Sequence, residues 1–391
     1  MRFDGFNKVW ESKQIGEIAE VVGGGTPKTE IVDYWDGEIK WFTPSEIGKT
    51  KYVFDSDRHI TEKGLKNSSA KLLPKNALLL SSRATVGEIS IALTECSTNQ
   101  GFQSLITKSN VDNDFIYYLI STIKNEFLRR SSGSTFLEIN KNEIKRMPIN
   151  IPELSEQKKI SNLFSAIDNK IEMLEKKCEY YQDFKKYLMQ RIFSSSDDKL
   201  RFTDYIEEWK TIKLKDVGEI NTGNTPSTKV NEYYSPKKYL WVTPSDISSK
   251  YIFDTAKRLS DEGAKKGRFV KKNSVLVTCI ASIGKNCIIL EDGYFNQQIN
   301  SITPSQSFDL DFIYYLIDYN SEKMKNYAGI TATPILNKKS FENMKFEFPS
   351  FDEQKQISNM LSNIDNKIFA IEELINKTQK FKKGLLQQMF V

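Results

Sequence analysis

The chain has 391 residues, of which 39% are hydrophobic, 12% aromatic and 27% charged, a profile that excludes disorder along its length and leaves room for two or three globular domains. No run approaches the ~20 apolar residues of a membrane span, and Met1-Arg2-Phe3-Asp4-Gly5 carries no signal-peptide apolar region, so a cytoplasmic protein is expected. Four scattered cysteines (Cys96, Cys178, Cys279, Cys287) without a Cys-x-x-Cys pair, and a single histidine, His59, argue against a disulfide framework or a metal site, while 56 Lys+Arg against 51 Asp+Glu give a net charge of +5 that permits a nucleic-acid partner without announcing one.

The second half of the chain reads as a diverged copy of the first, offset by 197 to 200 residues. Arg2-Phe3 and Trp10 return as Arg201-Phe202 and Trp209, and Gly24 with Thr26-Pro27 returns as Gly223 with Thr225-Pro226. Trp41-Phe42-Thr43-Pro44-Ser45-Glu46-Ile47 becomes Trp241-Val242-Thr243-Pro244-Ser245-Asp246-Ile247, and Ile167-Asp168-Asn169-Lys170-Ile171 recurs unchanged from Ile364 to Ile368. Each unit is a domain followed by a long helix: domain 1–152, helix 153–193, a polar linker 194–200, domain 201–349 and helix 350–391.

Within each domain, Ala77-Leu78-Leu79-Leu80 and Ser274-Val275-Leu276-Val277-Thr278 read as buried strands, followed after a glycine turn by Ile89–Leu93 and Cys287–Leu290. Asp114–Arg130 and Asp311–Tyr327 read as amphipathic helices. The fold class is therefore α+β, or mixed α/β. The tails carry apolar residues at alternating spacings of four and three: Ile160, Phe164, Ile167, Ile171 and Leu174 in the first, Ile357, Leu361, Ile364, Ile368 and Ile371 in the second. Both registers hold a lysine at the same rank, Lys185 and Lys382. A seam about 55 Å long calls for another helix to cover it, which predicts an antiparallel two-helix coiled coil related by a pseudo-twofold axis, with the domains at its opposite ends. The alternative, each helix folded back on its own domain, calls for a wider apolar face.

Signatures of catalysis are missing. There is no phosphate-binding Gly-x-x-x-x-Gly-Lys-[Ser/Thr] loop, no Gly-x-Gly-x-x-Gly fingerprint, no Gly-x-Ser-x-Gly elbow and no His-Glu-x-x-His. Gly23-Gly24-Gly25 reads as a glycine turn, and Glu46 and Asp246 as capping groups after Thr-Pro-Ser. Two similar, non-identical heads suit a ligand with two features at a fixed separation, for which duplex DNA with a bipartite site is the obvious candidate.

At these residues the chain resembles the specificity subunit of type I restriction-modification systems: the Arg-Phe start with its Trp, Gly-x-Thr-Pro, Trp-x-Thr-Pro-Ser-[Glu/Asp]-Ile, and the Glu-Gln pairs opening each long helix after Pro152 and Pro349. The resemblance implies two target-recognition domains, each reading half of a split DNA sequence, and a non-catalytic chain. It also implies partners: two modification subunits that bind S-adenosylmethionine and methylate adenine, and restriction subunits that use ATP and Mg. Base edges are read by bidentate donors and acceptors, so Arg83, between two strands and replaced by Ile280 in the other copy, is the leading reader. Asn99, Gln100 and Gln103, with Asn296, Gln297 and Gln298, supply amides, although their recurrence also fits a structural job. Thr43, Ser45, Thr85, Thr243, Ser245, Thr278 and Ser282, the segments holding Arg130, Ser134, Thr135, Thr331 and Thr333, and Lys28, Lys141, Lys229 and Lys338 are expected near phosphates. Rival readings are a two-headed protein adaptor, a modification-only assembly, and an enzyme in its own right.

Overall fold

The computed structural model describes residues 2–133, 137–194, 199–328 and 334–390, and the chain divides into two compact units, Met1–Glu175 with Glu373–Val391, and Lys176–Glu372. The division falls inside both long helices, Leu154–Phe193 and Phe351–Met389. Each unit thus takes one globular part, the first half of the helix that follows it and the second half of the other helix.

In the first unit a five-stranded sheet runs in the order Ala19–Gly23, Gln103–Thr107, Leu78–Leu80, Ile89–Ala92, Tyr52–Val53. Its last pair is parallel and the others are antiparallel. A three-stranded sheet is made of Arg58–Ile60, Trp35–Phe42 and Cys96–Thr98. The run Leu78-Leu79-Leu80 is buried on both faces because alternate side chains serve two cores. Leu78 and Leu80 pack with Phe115 and Leu119 of the helix Asn113–Thr122, whereas Leu79 packs with Phe42, Leu73 and Cys96.

That helix differs from the sequence expectation at both ends. Its cap is Asp112, whose carboxylate accepts the Phe115 N–H at 2.8 Å, while Asp114 serves another partner. It also stops at Thr122, and a separate turn follows over Lys124–Arg129. The hydroxyls of Ser121 and Thr122 bond back to the carbonyls of Tyr117 and Leu119, competing with continuation of the helix. The second unit breaks at the same place, where the Asn320 amide bonds the Leu316 carbonyl between Leu310–Tyr319 and Ser321–Lys325.

The duplicated end motifs turn out to be scaffold. Glu156, fully buried, takes two N–H groups of Arg2 at 2.7 and 2.8 Å and the Trp10 indole N–H at 3.4 Å. Gln157 accepts the Asp112 N–H and donates to the Pro152 carbonyl, fastening the long helix to the domain.

The first turns of the helix carry a wider apolar face than a bare heptad seam. Ile160, Phe164 and Ile167, with Leu163 beside them, lie in one cluster with Phe115 and Tyr118 of the domain and with Leu385 and Met389 of the second long helix. The two expected arrangements therefore coexist: the same residues are covered by their own domain and by the other helix. Ile171 packs at the margin of this cluster and Leu174 is half-buried. Within this unit the helices are antiparallel, since Lys382 pairs with Asp168 and Phe390 meets Phe164.

Lys382, the interruption in the heptad, ends in a polar chain. Its ammonium lies 2.5 Å from Asp168, whose other oxygen accepts the buried Tyr118 hydroxyl at 2.7 Å. Lys51 then reaches Tyr118 at 3.0 Å, Ser165 at 2.8 Å and Asp114 at 2.6 Å. Burial pushes the Tyr118 hydroxyl far above the usual phenol range, so it stays a donor.

The second unit repeats this construction. Its sheets run Gly218–Thr222, Ile299–Pro304, Ser274–Thr278, Asn286–Ile289, Tyr251–Ile252 and Arg258–Leu259, Tyr239–Val242, Gly293–Phe295, Arg268–Val270. Glu353 accepts from Arg201 and Trp209, and Gln354 accepts the Asp309 N–H and donates to the Pro349 carbonyl. Ile357, Leu361 and Ile364 share a cluster with Leu188 and Ile192 of the first helix, with Ile368 at its margin, and Ile371 is buried. Lys185 meets Asp365 at 2.7 Å, Asp365 accepts Tyr315, and Lys250 bridges Tyr315, Ser362 and Asp311. Here burial lowers the Lys250 pKa despite Asp311.

Candidate nucleic-acid interface

In the first unit, loops from distant parts of the sequence are sewn into one rim. The segment after Ala19–Gly23 passes so close to the strand Cys96–Thr98 that a Cβ on Gly24 would lie 2.0 Å from the Asn99 carbonyl, which explains glycine there and, at Gly223 against Asn296, in the copy. The Gly25 N–H bonds the Thr98 carbonyl at 2.8 Å, and the Thr26 hydroxyl donates to the Gln100 amide oxygen. The Trp41 indole donates to the Gly25 carbonyl at 2.9 Å. The Ser82 N–H bonds Gly101, the Ile139 N–H bonds Ser82, and Thr85 reaches the Pro44 carbonyl. Arg83 meets Glu138 at 2.8 Å.

The Thr-Pro-Ser turns are fastened internally, as the capping reading expects. Thr43 donates its N–H and hydroxyl to Glu46, whose other oxygen accepts the Asp57 N–H, and the hydroxyls of Thr43 and Ser45 lie 3.0 Å apart. In the second unit Asp246 does the same for Thr243 and Ala256, with Ser245 beside Thr243. One side of each hydroxyl pair is therefore committed to the turn, and Ser45 and Ser245 are the exposed members.

The tip of the rim is an elbow that recurs in both units. Ala84 sits at φ 61° and Ala281 at φ 63°, each the centre of a γ-turn in which the Thr85 N–H bonds Arg83 and the Ser282 N–H bonds Ile280. A γ-turn with an alanine at positive φ is a strained form. It is held from below by a buried hydroxyl. Ser81 bonds the carbonyls of Thr85 and Glu88, and Thr278 bonds those of Ser282 and Lys285. Arg83 and Ile280 precede the two elbows, with Arg83, Thr85 and Ser282 exposed.

Not every candidate faces outward. Thr278 is wholly buried beneath the elbow and cannot meet a ligand, which corrects its assignment from sequence. Asn296, 6% exposed, locks its own turn through the Gln298 N–H and amide oxygen, and the Asn99 amide oxygen accepts the Gly101 N–H, so both side chains serve their turns in the structural way their recurrence allowed. Gln100 and Gln297 are exposed, each accepting a hydroxyl, from Thr26 and Thr225. Gln103 and Gln298 are half-buried.

Lys28, Lys141 and Lys229 are exposed, Lys338 pairs with Glu342, and Arg130 approaches Glu143 at 3.8 Å. Ser134, Thr135, Thr331 and Thr333 lie outside the described residues. The sequence reading missed Glu138, which orients Arg83, and the pairing of Gln100 with Thr26 and of Gln297 with Thr225, whose partners are far apart in the chain.

The buried Cys279 thiol is pushed up to about 12 by burial, which removes it as a nucleophile. Among the described residues no group of three or more His, Cys, Asp or Glu is placed to hold a metal ion, and no helix is long and apolar enough to cross a membrane. What the rim offers is an edge of exposed donors and acceptors around a tip pinned by a buried hydroxyl.

The model of the type I restriction modification DNA specificity domain matches the chain twice, over residues 7–179 and 206–380. The chain is 27% identical over 402 residues to the type I restriction enzyme MjaIX specificity subunit of Methanocaldococcus jannaschii, an alignment covering 98% of this chain and 93% of that protein. It is 28% identical over 191 residues to the EcoR124I/EcoR124II specificity subunit of Escherichia coli, covering 44% and 47% of the two. Its fold is similar to that of the type I restriction-modification S subunit from M. genitalium, with a TM-score of 0.64 at 15% identity over 100% of this chain and 97% of that one.

Proposed function

We propose that this chain, which belongs to the family of type I restriction-modification DNA specificity domains, is the DNA-reading subunit of such a system, each globular unit taking one half of a bipartite site. The observation that carries the reading is the duplicated elbow: the same strained backbone, pinned by the same buried hydroxyl, presents Arg83 in one unit and Ile280 in the other. A scaffold need alone would repeat the side chain as well as the backbone. Bidentate Arg to guanine and apolar contact with the thymine methyl are the corresponding readouts.

The long helices set the spacing of the half-sites and dock the modification subunits. In the second unit Tyr180 and Phe184 stack 6.2 Å apart on the outside of the first helix, with Tyr187 beyond them, and all three are exposed. Aromatic residues standing in solvent on a helix already covered on its other side favour a protein partner there over a free surface. The chemistry belongs to the partners: S-adenosylmethionine on the modification subunits, ATP and Mg on restriction subunits, all acting in the cytoplasm. Mapping methylated adenines across the genome with and without the gene tests the proposal. A split motif that disappears on deletion is expected; an unchanged methylation pattern overturns it.

A further inference from the structure

The second unit holds a basic pocket of about 250 Å³ lined by Thr228, Asn231, Tyr234, Lys237, Lys257 and Arg258. Its wall, Tyr234, donates its hydroxyl to the Pro226 carbonyl at 2.7 Å and so joins the pocket to the Thr225-Pro226 segment of the rim. Arg258 is held in place by Asp254 and the Lys238 carbonyl. Lys238 pairs with Asp261, but among the described residues Lys237 and Lys257 have no carboxylate at ion-pair distance.

The corresponding place in the first unit is filled. The equivalent hydrogen bonds from Trp41 N–H to Ser56 and from Trp241 N–H to Thr255 align Arg58 with Lys257 and Asp57 with Ala256. There the Arg58 guanidinium lies 3.6 Å from the centroid of the Trp35 ring, and Tyr234 stands where Trp35 would be. The segment after the aromatic residue carries Asp36 and Glu38 in the first unit, Lys237 and Lys238 in the second. One frame thus holds an arginine stacked on tryptophan beside Asp36 and Glu38 in one unit and an open, lysine-lined cavity in the other, so the cavity is not something the fold requires.

Two ammonium groups without an ion-pair partner among the described residues, with the Thr228 hydroxyl and the Asn231 amide beside them and Arg258 held against Asp254, make a receptor for a tetrahedral phosphate. We infer that the pocket binds a backbone phosphodiester of the DNA, an inference that rests on the function proposed above. The second unit would then grip the duplex independently of base sequence at a point where the first does not.

The test measures the salt dependence of the full chain on cognate and random duplexes. Lys237→Gln with Lys257→Gln is expected to lower the slope of log affinity against log salt by about 0.9, the share of one neutralised phosphate, equally on both duplexes. Tyr234→Trp with Lys257→Arg copies the filled arrangement of the first unit at constant charge, and is expected to lower the slope as much. An unchanged slope in either variant overturns the pocket. Failure of the unaltered chain to bind any duplex overturns the DNA-reading function instead. Acetylation of Lys257 separates the sources of phosphate: protection by duplex supports the inference, and protection by inorganic phosphate without protection by duplex overturns it.

Discussion

The two units agree most where the polar groups are buried and differ most where they are exposed. Arg2, Trp10 and Glu156 reappear as Arg201, Trp209 and Glu353 with nearly the same distances, and the chain Lys382–Asp168–Tyr118–Lys51 reappears as Lys185–Asp365–Tyr315–Lys250. A buried charge tolerates little change, because losing one partner strands the other away from water. At the rim the backbone is kept and the side chains are not, as Arg83 against Ile280 and Trp35–Arg58 against Tyr234–Lys257 show. The recurring motifs that reveal the repeat are therefore chiefly scaffold, and specificity is to be sought at positions where the copies disagree.

The most damaging way to test the shared half of this comparison is to remove a buried carboxylate. Glu353 is 1% exposed and holds both Arg201 and Trp209. Glu353→Ala is expected to cost about 2–3 kcal/mol, somewhat less than a fully enclosed pair because Arg201 keeps some contact with solvent. Glu156→Ala should cost a similar amount, read as the unfolding midpoint in urea. A loss in one variant without the other would show that the two scaffolds are not energetically equivalent.

The divergent half is sharpened by Arg83. Arg83→Ala is expected to reduce discrimination at one base pair of one half-site by about 1–3 kcal/mol in competition binding, while Lys141→Ala weakens all sequences alike. Equal losses on cognate and random DNA for the Arg83 variant would confine its role to the ion pair with Glu138.

Much of this architecture was legible in sequence because it depends on local periodicity. The heptads of Ile160–Leu174 and Ile357–Ile371, the buried strand read from the Leu78–Leu80 run and the duplicated order of motifs all survive in the structure. The break after Thr122 was not legible, because the competing hydroxyl bonds of Ser121 and Thr122 leave no mark in an apolar pattern. Nor was the use of the Thr278 hydroxyl beneath the elbow, since the end of a buried strand reads as open to a ligand until the loop folds over it. The stacking of Arg58 on Trp35 depends on a strand pairing between residues well separated in the chain, so neither it nor the cavity left by its loss could be read from spacing.

The smallest expected effect bears on whether the elbow matters for its shape. Alanine at φ 61° carries roughly 1–2 kcal/mol of strain that glycine lacks, whereas glycine adds about 0.5–1 kcal/mol of unfolded-state entropy. Ala84→Gly and Ala281→Gly should therefore leave stability unchanged or raise it by no more than about 1.5 kcal/mol, the two contributions partly cancelling. A binding change larger than the stability change would then come from loosening the tip, since neither substitution removes a donor or a charge. In competition assays the Ala84 variant is expected to lose discrimination at the base pair assigned to Arg83 and to keep its affinity for random DNA. Undiminished discrimination would mean that the strained backbone does not position Arg83, and that the side chain finds its base from a relaxed turn as well as from this one.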